Sequence, residues 1–344
     1  MQEFLLLSNF WNQSSTLTDR NHVLTLLHFE GQKCVQTVVS DTVSSLPEHC
    51  AWIDLLDPTK AEEEAIEKLL SLEIPTREEM QEIEVSSRLY VEKNAVVMTL
   101  PVLTRSTSQQ PESTAVTFIL ANHILITVRY DDPSPFSTYI HRAAHQPELA
   151  ASGEIVLLGL LEQIADRLAD VLEGATAELE KLSHEIFKIN QPDQTKTDFN
   201  NILVRIGHSS DLATRAKDSL VCLNRQILFF SSQTSIQTEA PARIETILQD
   251  IHSVDEHARF VSEKVGFLLN ATLGMLNIEQ NNIIKIFSVA AVAFMPPTLI
   301  ASIYGMNFHH MPELSWPLGY PIALFLMVAS GLIPLWHFKR KNWL

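Results

Sequence analysis

Two stretches near the C-terminus constrain everything else about this chain. Residues 286–306 and 316–338, 21 and 23 residues long, contain no Asp, Glu, Lys or Arg. A helix rises 1.5 Å per residue, so about 20 apolar residues cross the hydrocarbon core of a bilayer. Both stretches meet that length and nothing else in the chain does. They read as two membrane spans; the alternative is a pair of core helices in a soluble protein, which pass the same length test. Lys285 precedes the first, while Lys339, Arg340 and Lys341 follow the second. The nine-residue connection 307–315 has no Lys or Arg and a single acid, Glu313. Positive residues stay on the cytoplasmic side. The expected topology is a cytoplasmic N-terminal part, a short outer loop and a cytoplasmic tail in the cytoplasmic membrane. Trp316, Tyr320, Trp336 and Trp343 fall where interfacial aromatics belong.

The spans explain an odd composition. The 344 residues carry a net charge of −16, yet mean hydropathy is +0.06. Residues 1–282 hold 40 acids and 21 bases, whereas 283–344 hold one acid and four bases. A soluble part at −19 is thus joined to a membrane unit at +3. This balance argues against nucleic-acid binding, which needs clustered Lys and Arg, and points to cations as partners. Cys34, Cys50 and Cys222 are too scattered for a zinc site or a disulfide framework. Residues 1–12 lack the basic start and long apolar run of a signal peptide. No glycine-rich phosphate loop, His-Glu-x-x-His or Gly-x-Ser-x-Gly occurs, so a membrane-tethered enzyme finds no supporting motif.

Upstream of the spans the pattern is α+β, then all helix. Short β-like runs fall at 34–39, 51–55, 95–100, 115–120 and 124–129, the last two joined by a turn at Ala121-Asn122-His123. Asp57-Pro58 reads as a helix start running to Leu70, Thr76 with Glu79 as a capping box, and 135–145 as a further helix. From Glu154 to Ile189 apolar residues recur at helical spacing: Ile155, Leu158, Leu161, Ile164, Leu168, Leu172, Leu179, Leu182 and Ile186. A break at 190–193 precedes a second helix from 198 to 231, and a polar linker at 232–240 precedes a third. The third has Pro241 at its start and no further Pro before Pro296, so it runs into the first span. Continuous to Ile303, it would be about 93 Å long; Gly266 and Gly274 are the places where it would otherwise break. The division is an α/β domain at 1–150, stalk helices at 151–282 and a membrane unit at 283–344.

One stripe organises the first span. Asn281, Ile284, Ser288, Ala291, Met295, Thr298, Ser302 and Gly305 are spaced alternately by three and four residues. That 3.5-residue period is the seam of a left-handed bundle. Small and hydroxyl residues on it allow close packing between helices. They also suit a pore wall around a symmetry axis, with Met295 as an apolar constriction. Two spans cannot enclose a path, so a pore requires a cyclic homo-oligomer.

Tyr304-Gly305-Met306-Asn307, followed by Met311-Pro312-Glu313-Leu314, resembles the signature of the CorA family of magnesium transporters. The approach Asn277–Lys285 and the basic tail Lys339–Leu344 are similar too. The resemblance implies a funnel-shaped homopentamer with an α/β cytoplasmic domain and a pore lined by the first span. Asn307 then takes the place of the side-chain amide that rings the outer mouth, with Gly305 and Met306 completing the loop. Asn281, Met295 and Thr298 match pore-lining positions. Mg²⁺ gives up its waters reluctantly, so a neutral amide ring suits the hydrated ion, and neither span contains an acid. Glu313 is either a ring that concentrates cations or a solvated loop acid. The family also implies inhibitory Mg²⁺ sites built from cytoplasmic acids; Glu82, Glu84, Asp250 and Asp255 are candidates by neighbourhood. Mg²⁺ is the expected cargo and regulator, with Co²⁺ and Ni²⁺ as further cargo. His309-His310 departs from the family pattern, and a transporter for zinc or another transition metal is the alternative.

Overall fold

The computed structural model describes residues 23–341, except 31–32, 40–42, 44, 83, 107, 109–110, 189–197, 234–239, 308 and 310. Residues 1–12, the break at 190–193, most of the 232–240 linker, His310 and Trp343 therefore lie outside the described residues. By contacts the chain divides into two compact units, 1–187 with 201–268, and 188–200 with 269–344.

The first unit is built on one seven-stranded sheet. Its strands are β1 (Val23–Glu30), β2 (Lys33–Val39), β3 (Cys50–Leu56), β4 (Leu89–Glu92), β5 (Ala95–Thr104), β6 (Glu112–Ala121) and β7 (Ile124–Arg129), in the order β2-β1-β3-β7-β6-β5-β4. Only β3 and β7 pair in parallel; every other neighbour is antiparallel. Two strands, β1 and β4, escape the sequence pattern. In β1, Leu24, Leu26 and Leu27 are all buried, so the period-2 signal is lost. Strand β5 runs past Pro101, where a strand would be expected to stop. Its β4 partner covers only Ala95–Met98, so no neighbour on that side asks Pro101 for an N–H. The turn between β6 and β7 is a two-residue hairpin with Asn122 and His123 at φ 51° and 64°. Lys93 and Asn94, at 47° and 64°, repeat it between β4 and β5.

Helix α1 (Lys60–Leu70) starts two residues later than the sequence suggested. Thr59 caps it through a reciprocal capping box with Glu62. Asp57 instead adopts a left-handed conformation, φ 48°, and donates its N–H to the Arg129 carbonyl at 2.7 Å. The Thr76–Glu79 box is formed as expected but opens only a short turn, α2 (Arg77–Met80), followed by α3 (Val85–Arg88). One face of the sheet buries Ile53, Leu55, Ile119, Ile126 and Val128 against Ile66 of α1 and Met80 of α2. The other face meets α4 (Ser134–His145), where Trp52, Phe118, Phe136 and Tyr139 pack ring to ring.

That second face also carries a buried polar chain. Trp52 Nε1 donates to Thr127 Oγ1 at 2.9 Å, and Thr127 Oγ1 donates to Asp54 Oδ1 at 2.7 Å. Asp54 also takes a forked pair from Arg129, whose Nη2 lies 2.8 Å away. Nη1 of Arg129 reaches on to Asp132 at 2.6 Å and to the Asp131 carbonyl at 3.1 Å. The pair is sealed, with the Arg129 and Asp54 side chains 6% and 3% exposed.

Helix α5 (Gly153–Lys188) buries the predicted apolar series from Leu158 to Ile186, while Ile155 is half-buried. Two glycines set its approach. A Cβ on Gly153 would sit 2.5 Å from the Leu125 nitrogen, and one on Gly159 would sit 2.3 Å from the Tyr139 ring. Helix α6 (Phe199–Gln233) follows, and its Ser219 hydroxyl donates to the Pro101 carbonyl at 2.6 Å. Helix α7 (Ala240–Tyr304) is one element of 65 residues that does not break at Gly266 or Gly274. Helix α8 (Gly319–Arg340) is the last helix among the described residues. Cys34, Cys50 and Cys222 are all free.

Candidate ion-conduction site

The second unit contains the C-terminal part of α7 and all of α8. Both are long and apolar enough to span a membrane. Their most apolar 18-residue windows are only 11% and 6% buried within the chain. A core helix of a soluble protein is mostly covered, so that reading fails here. Phe287, Phe294, Tyr320 and Phe325 are each more than 70% exposed, surface that lipid or further copies of the chain must cover.

The two spans meet along one face of α7. Val289 and Ala293 are the buried residues there, and with Pro297 they line an apolar groove closed by Met327, Val328 and Gly331 of α8. Pro297 has no N–H to give the Ala293 carbonyl. At this point α8 presents Gly331, where an added Cβ would lie 3.4 Å from both the Ala293 oxygen and Pro297. A small residue thus lets the second helix close on the interrupted turn. One residue further along, the Thr298 hydroxyl donates to the Phe294 carbonyl at 2.7 Å.

Successive helical residues turn by about 100°. On that count Met295 lies about 160° round the helix from Ala293 and Val289 lies within about 40° of Ala293. The stripe Asn281, Ile284, Ser288, Ala291, Met295, Thr298 and Ser302 centres on the Met295 side, so α8 covers the opposite face. Every member of the stripe is exposed in the single chain, Met295 at 69% and Ile284 at 52%.

Helix α7 ends at Tyr304 and hands over directly to Gly305-Met306-Asn307. Gly305 donates its N–H to the Ala301 carbonyl at 3.0 Å, and a Cβ there would crowd the same oxygen at 3.1 Å. Met306 bonds back to Ile303 at 3.3 Å. Asn307 follows with its side chain exposed, beyond the last helical turn. His309 is exposed. Residues Pro312–Ser315, including the Glu313 backbone, form one 3-10 turn, while the Glu313 side chain lies outside what is described. At the other end of α8, Arg340 stacks over Trp336 at 5.6 Å.

The four acids suggested as regulatory sites sit in the first unit and differ in their surroundings. Glu82 and Glu84 are exposed; the Glu82 carbonyl accepts from Arg88 Nε at 2.6 Å. Asp255 is already bound by Arg259 at 2.6 Å. Asp250 is exposed and belongs to a group that sequence reasoning missed. Partial desolvation, then Glu162, Asp170 and Asp250, hold the Asp166 carboxyl above the usual range. The signal was present, since Glu162, Asp166 and Asp170 are four apart on one helix face. Glu162 is held by a forked pair from Arg243 at 2.7 and 2.8 Å. Among the described residues no three His, Cys, Asp or Glu are grouped to hold a metal.

A mixed-sheet domain, long helices and two exposed apolar helices joined by a short loop define a membrane protein whose second span leaves a polar stripe of the first uncovered. The comparisons make the class specific. Residues 47–340 match the family described as CorA-like Mg²⁺ transporter protein, and the chain belongs to that family. It is 34% identical over 304 residues to the magnesium transport protein CorA of Yersinia pseudotuberculosis, covering 88% of this chain and 93% of that one. It is 33% identical over 322 residues to the protein of that name from Salmonella typhimurium, covering 94% and 100%. The fold matches the complete CorA magnesium transporter of Methanocaldococcus jannaschii with a TM-score of 0.71 at 18% identity, over 94% of this chain and 99% of that one. Membership of a transporter family agrees with the lack of any enzyme motif in the sequence.

Proposed function

We propose that this chain conducts Mg²⁺, with Co²⁺ and Ni²⁺ as further cargo, through a funnel-shaped homopentameric pore lined by the α7 stripe. The observation that carries this reading is the placement of α8 on the face of α7 opposite Met295. A ring of five α7 helices turns the uncovered stripe inward and leaves α8 on the lipid side.

The chemistry follows from that arrangement. The Asn307 amides ring the outer mouth and hold Mg²⁺ through its waters, with Gly305 and Met306 shaping the loop. A neutral ring releases what it binds, which a carboxylate ring in a dry pore does not. Glu313 adds negative potential outside, raising the local cation concentration. Within the pore, Ser302, Thr298, Ala291, Ser288 and Asn281 offer small or polar walls, and Met295 with Ile284 form apolar constrictions. Both termini are cytoplasmic in the inner membrane, so an inside-negative potential drives influx. The parts are an α/β domain at 1–150, stalk helices at 151–282 and the pore unit at 283–344.

Five copies of a soluble part at −19 repel one another, and cytoplasmic Mg²⁺ screens that repulsion and closes the pore. Glu82, Glu84, Asp250 and Asp255 act there as acids of the assembly. Asp250 lies beside the crowded Asp166, whereas Asp255 is already paired with Arg259. Replacing Asn307 with Ala tests the mouth: Mg²⁺ uptake should be lost while the oligomer, sized by light scattering in detergent, is unchanged. Wild-type uptake in that variant rejects the mechanism.

A further inference from the structure

The first unit has a cavity of about 790 Å³ that ion conduction does not use. It lies at the carboxyl ends of β3 and β7, lined by Leu56 at the end of one strand with Asp57 after it, and by Tyr130, Asp131 and Asp132 after the other. Among the described strands these two are the parallel pair. The cavity's size is in the upper range of small-molecule sites, about 300–1,000 Å³. Two of its residues, Asp57 and Arg105, have left-handed backbones, φ 48° and 49°. Such strain in residues with side chains concentrates at functional sites.

The charges in the cavity narrow the ligand class. Two pairs are satisfied internally: Arg105 with Glu112 at 3.0 Å, and Asp132 with Arg129 at 2.6 Å. Arg77 and Arg88 have no carboxylate partner among the described residues. Arg77 is exposed and lies 4.8 Å over the Tyr130 ring, which fixes it on the cavity wall. Among the described residues, Arg88 is bonded to the Glu82 carbonyl and, at 3.9 Å, to the Cys222 sulfur. Asp131 has no cationic side-chain partner among the described residues, and its carboxylate accepts from the Asp132 N–H at 2.9 Å. Ser113 and Thr114 add hydroxyls. Guanidinium groups without carboxylates suit phosphate oxygens, and the Asp131 carboxylate, on the same wall as Asp57, suits a hydrated divalent ion.

We infer that this cavity binds a phosphate ester of nucleotide size in its Mg²⁺-chelated form, with Arg77 and Arg88 on the phosphates and Asp131 facing the ion. A Mg²⁺ transporter with this site reads the chelated pool of its own cargo as well as the free ion.

Mg²⁺–ATP is the probe, added to the purified full-length chain in mild detergent and followed by equilibrium dialysis. Saturable binding is expected. Chelating the Mg²⁺ with excess EDTA, or substituting Arg77→Ala or Asp131→Asn, should weaken it at least tenfold. Lys217→Ala, on α6 and outside the cavity, should leave it unchanged. Thermal unfolding by circular dichroism checks that the variants fold. No saturable binding, equal binding with EDTA, or binding that survives both cavity substitutions in folded protein overturns the assignment. The assay reads binding and not flux, so its failure leaves the transport reading intact.

Discussion

Removing Asp54 should unlock the sheet from its polar centre. Its carboxylate accepts the forked pair from Arg129 and the hydroxyl of Thr127, at 3% side-chain exposure. In Asp54→Ala, Arg129 keeps Asp132, whose side chain is 63% exposed, as its one carboxylate beside the Asp131 carbonyl, and Thr127 loses its acceptor. Breaking a buried pair by removing one partner costs about 3–5 kcal/mol, because the other charge stays buried. At about 1.4 kcal/mol per factor of ten, that is about two to three and a half decades in the opening equilibrium. Hydrogen–deuterium exchange by mass spectrometry reads this locally. Protection in peptides from β3 and β7 should fall by that factor, while α8 peptides stay unchanged. The double variant Asp54→Leu/Arg129→Leu should cost clearly less than the two single changes added together, since an apolar pair leaves no stranded charge. Protection in Asp54→Ala within about tenfold of wild type, or strict additivity in the cycle, refutes the argument.

Two further outcomes test other parts of the structure. With Cys34, Cys50 and Cys222 replaced by Ser, single cysteines at Ser288, Ala291, Thr298 and Ser302 should react with a water-soluble thiol reagent that then blocks flux. A cysteine at Ala293, on the α8 face, should not react; the reverse pattern rejects the stripe as a pore wall. For Asp166 the folded carboxyl lies above its unfolded value, by partial desolvation first and then by Glu162, Asp170 and Asp250. Its contribution to stability is therefore full below the unfolded value and is lost as pH rises through the folded one. Asp166→Asn should remove that slope and leave the protein more stable at neutral pH by thermal melt; a lower Tm at neutral pH contradicts it.

Much of this fold was legible because its signals are local. The spans follow from length, the long helices from proline spacing, and the β6–β7 hairpin from Asn122 and its flanking apolar runs. What escaped depended on partners. Strand β1 is apolar on both faces, so alternation cannot reveal it. The β-like run at 95–100 stops before Pro101, yet β5 continues through it to Thr104, because β4 pairs only as far as Met98 and leaves that edge open. Asp57 looked like a helix cap, but Thr59 has the better box and Asp57 bonds to β7 instead. In the first span the stripe was visible as a period. Which face α8 covers was not, because it depends on Gly331 meeting Ala293 and Pro297, 38 and 34 residues away in the sequence. The acids were hardest, since a carboxylate's neighbours across helices decide whether it is paired, like Asp255, or crowded, like Asp166.

The central claim is electrogenic Mg²⁺ entry through the assembled spans. Its most direct test is Mg²⁺ flux into proteoliposomes of the purified chain, at imposed potentials and a series of Mg²⁺ concentrations on the cytoplasmic face. A divalent ion gains about 4.6 kcal/mol per 100 mV, twice the value for one charge. Influx should rise steeply with inside-negative potential and fall as cytoplasmic-side Mg²⁺ rises into the millimolar range. Flux no greater than in protein-free vesicles, or flux indifferent to potential, contradicts the account.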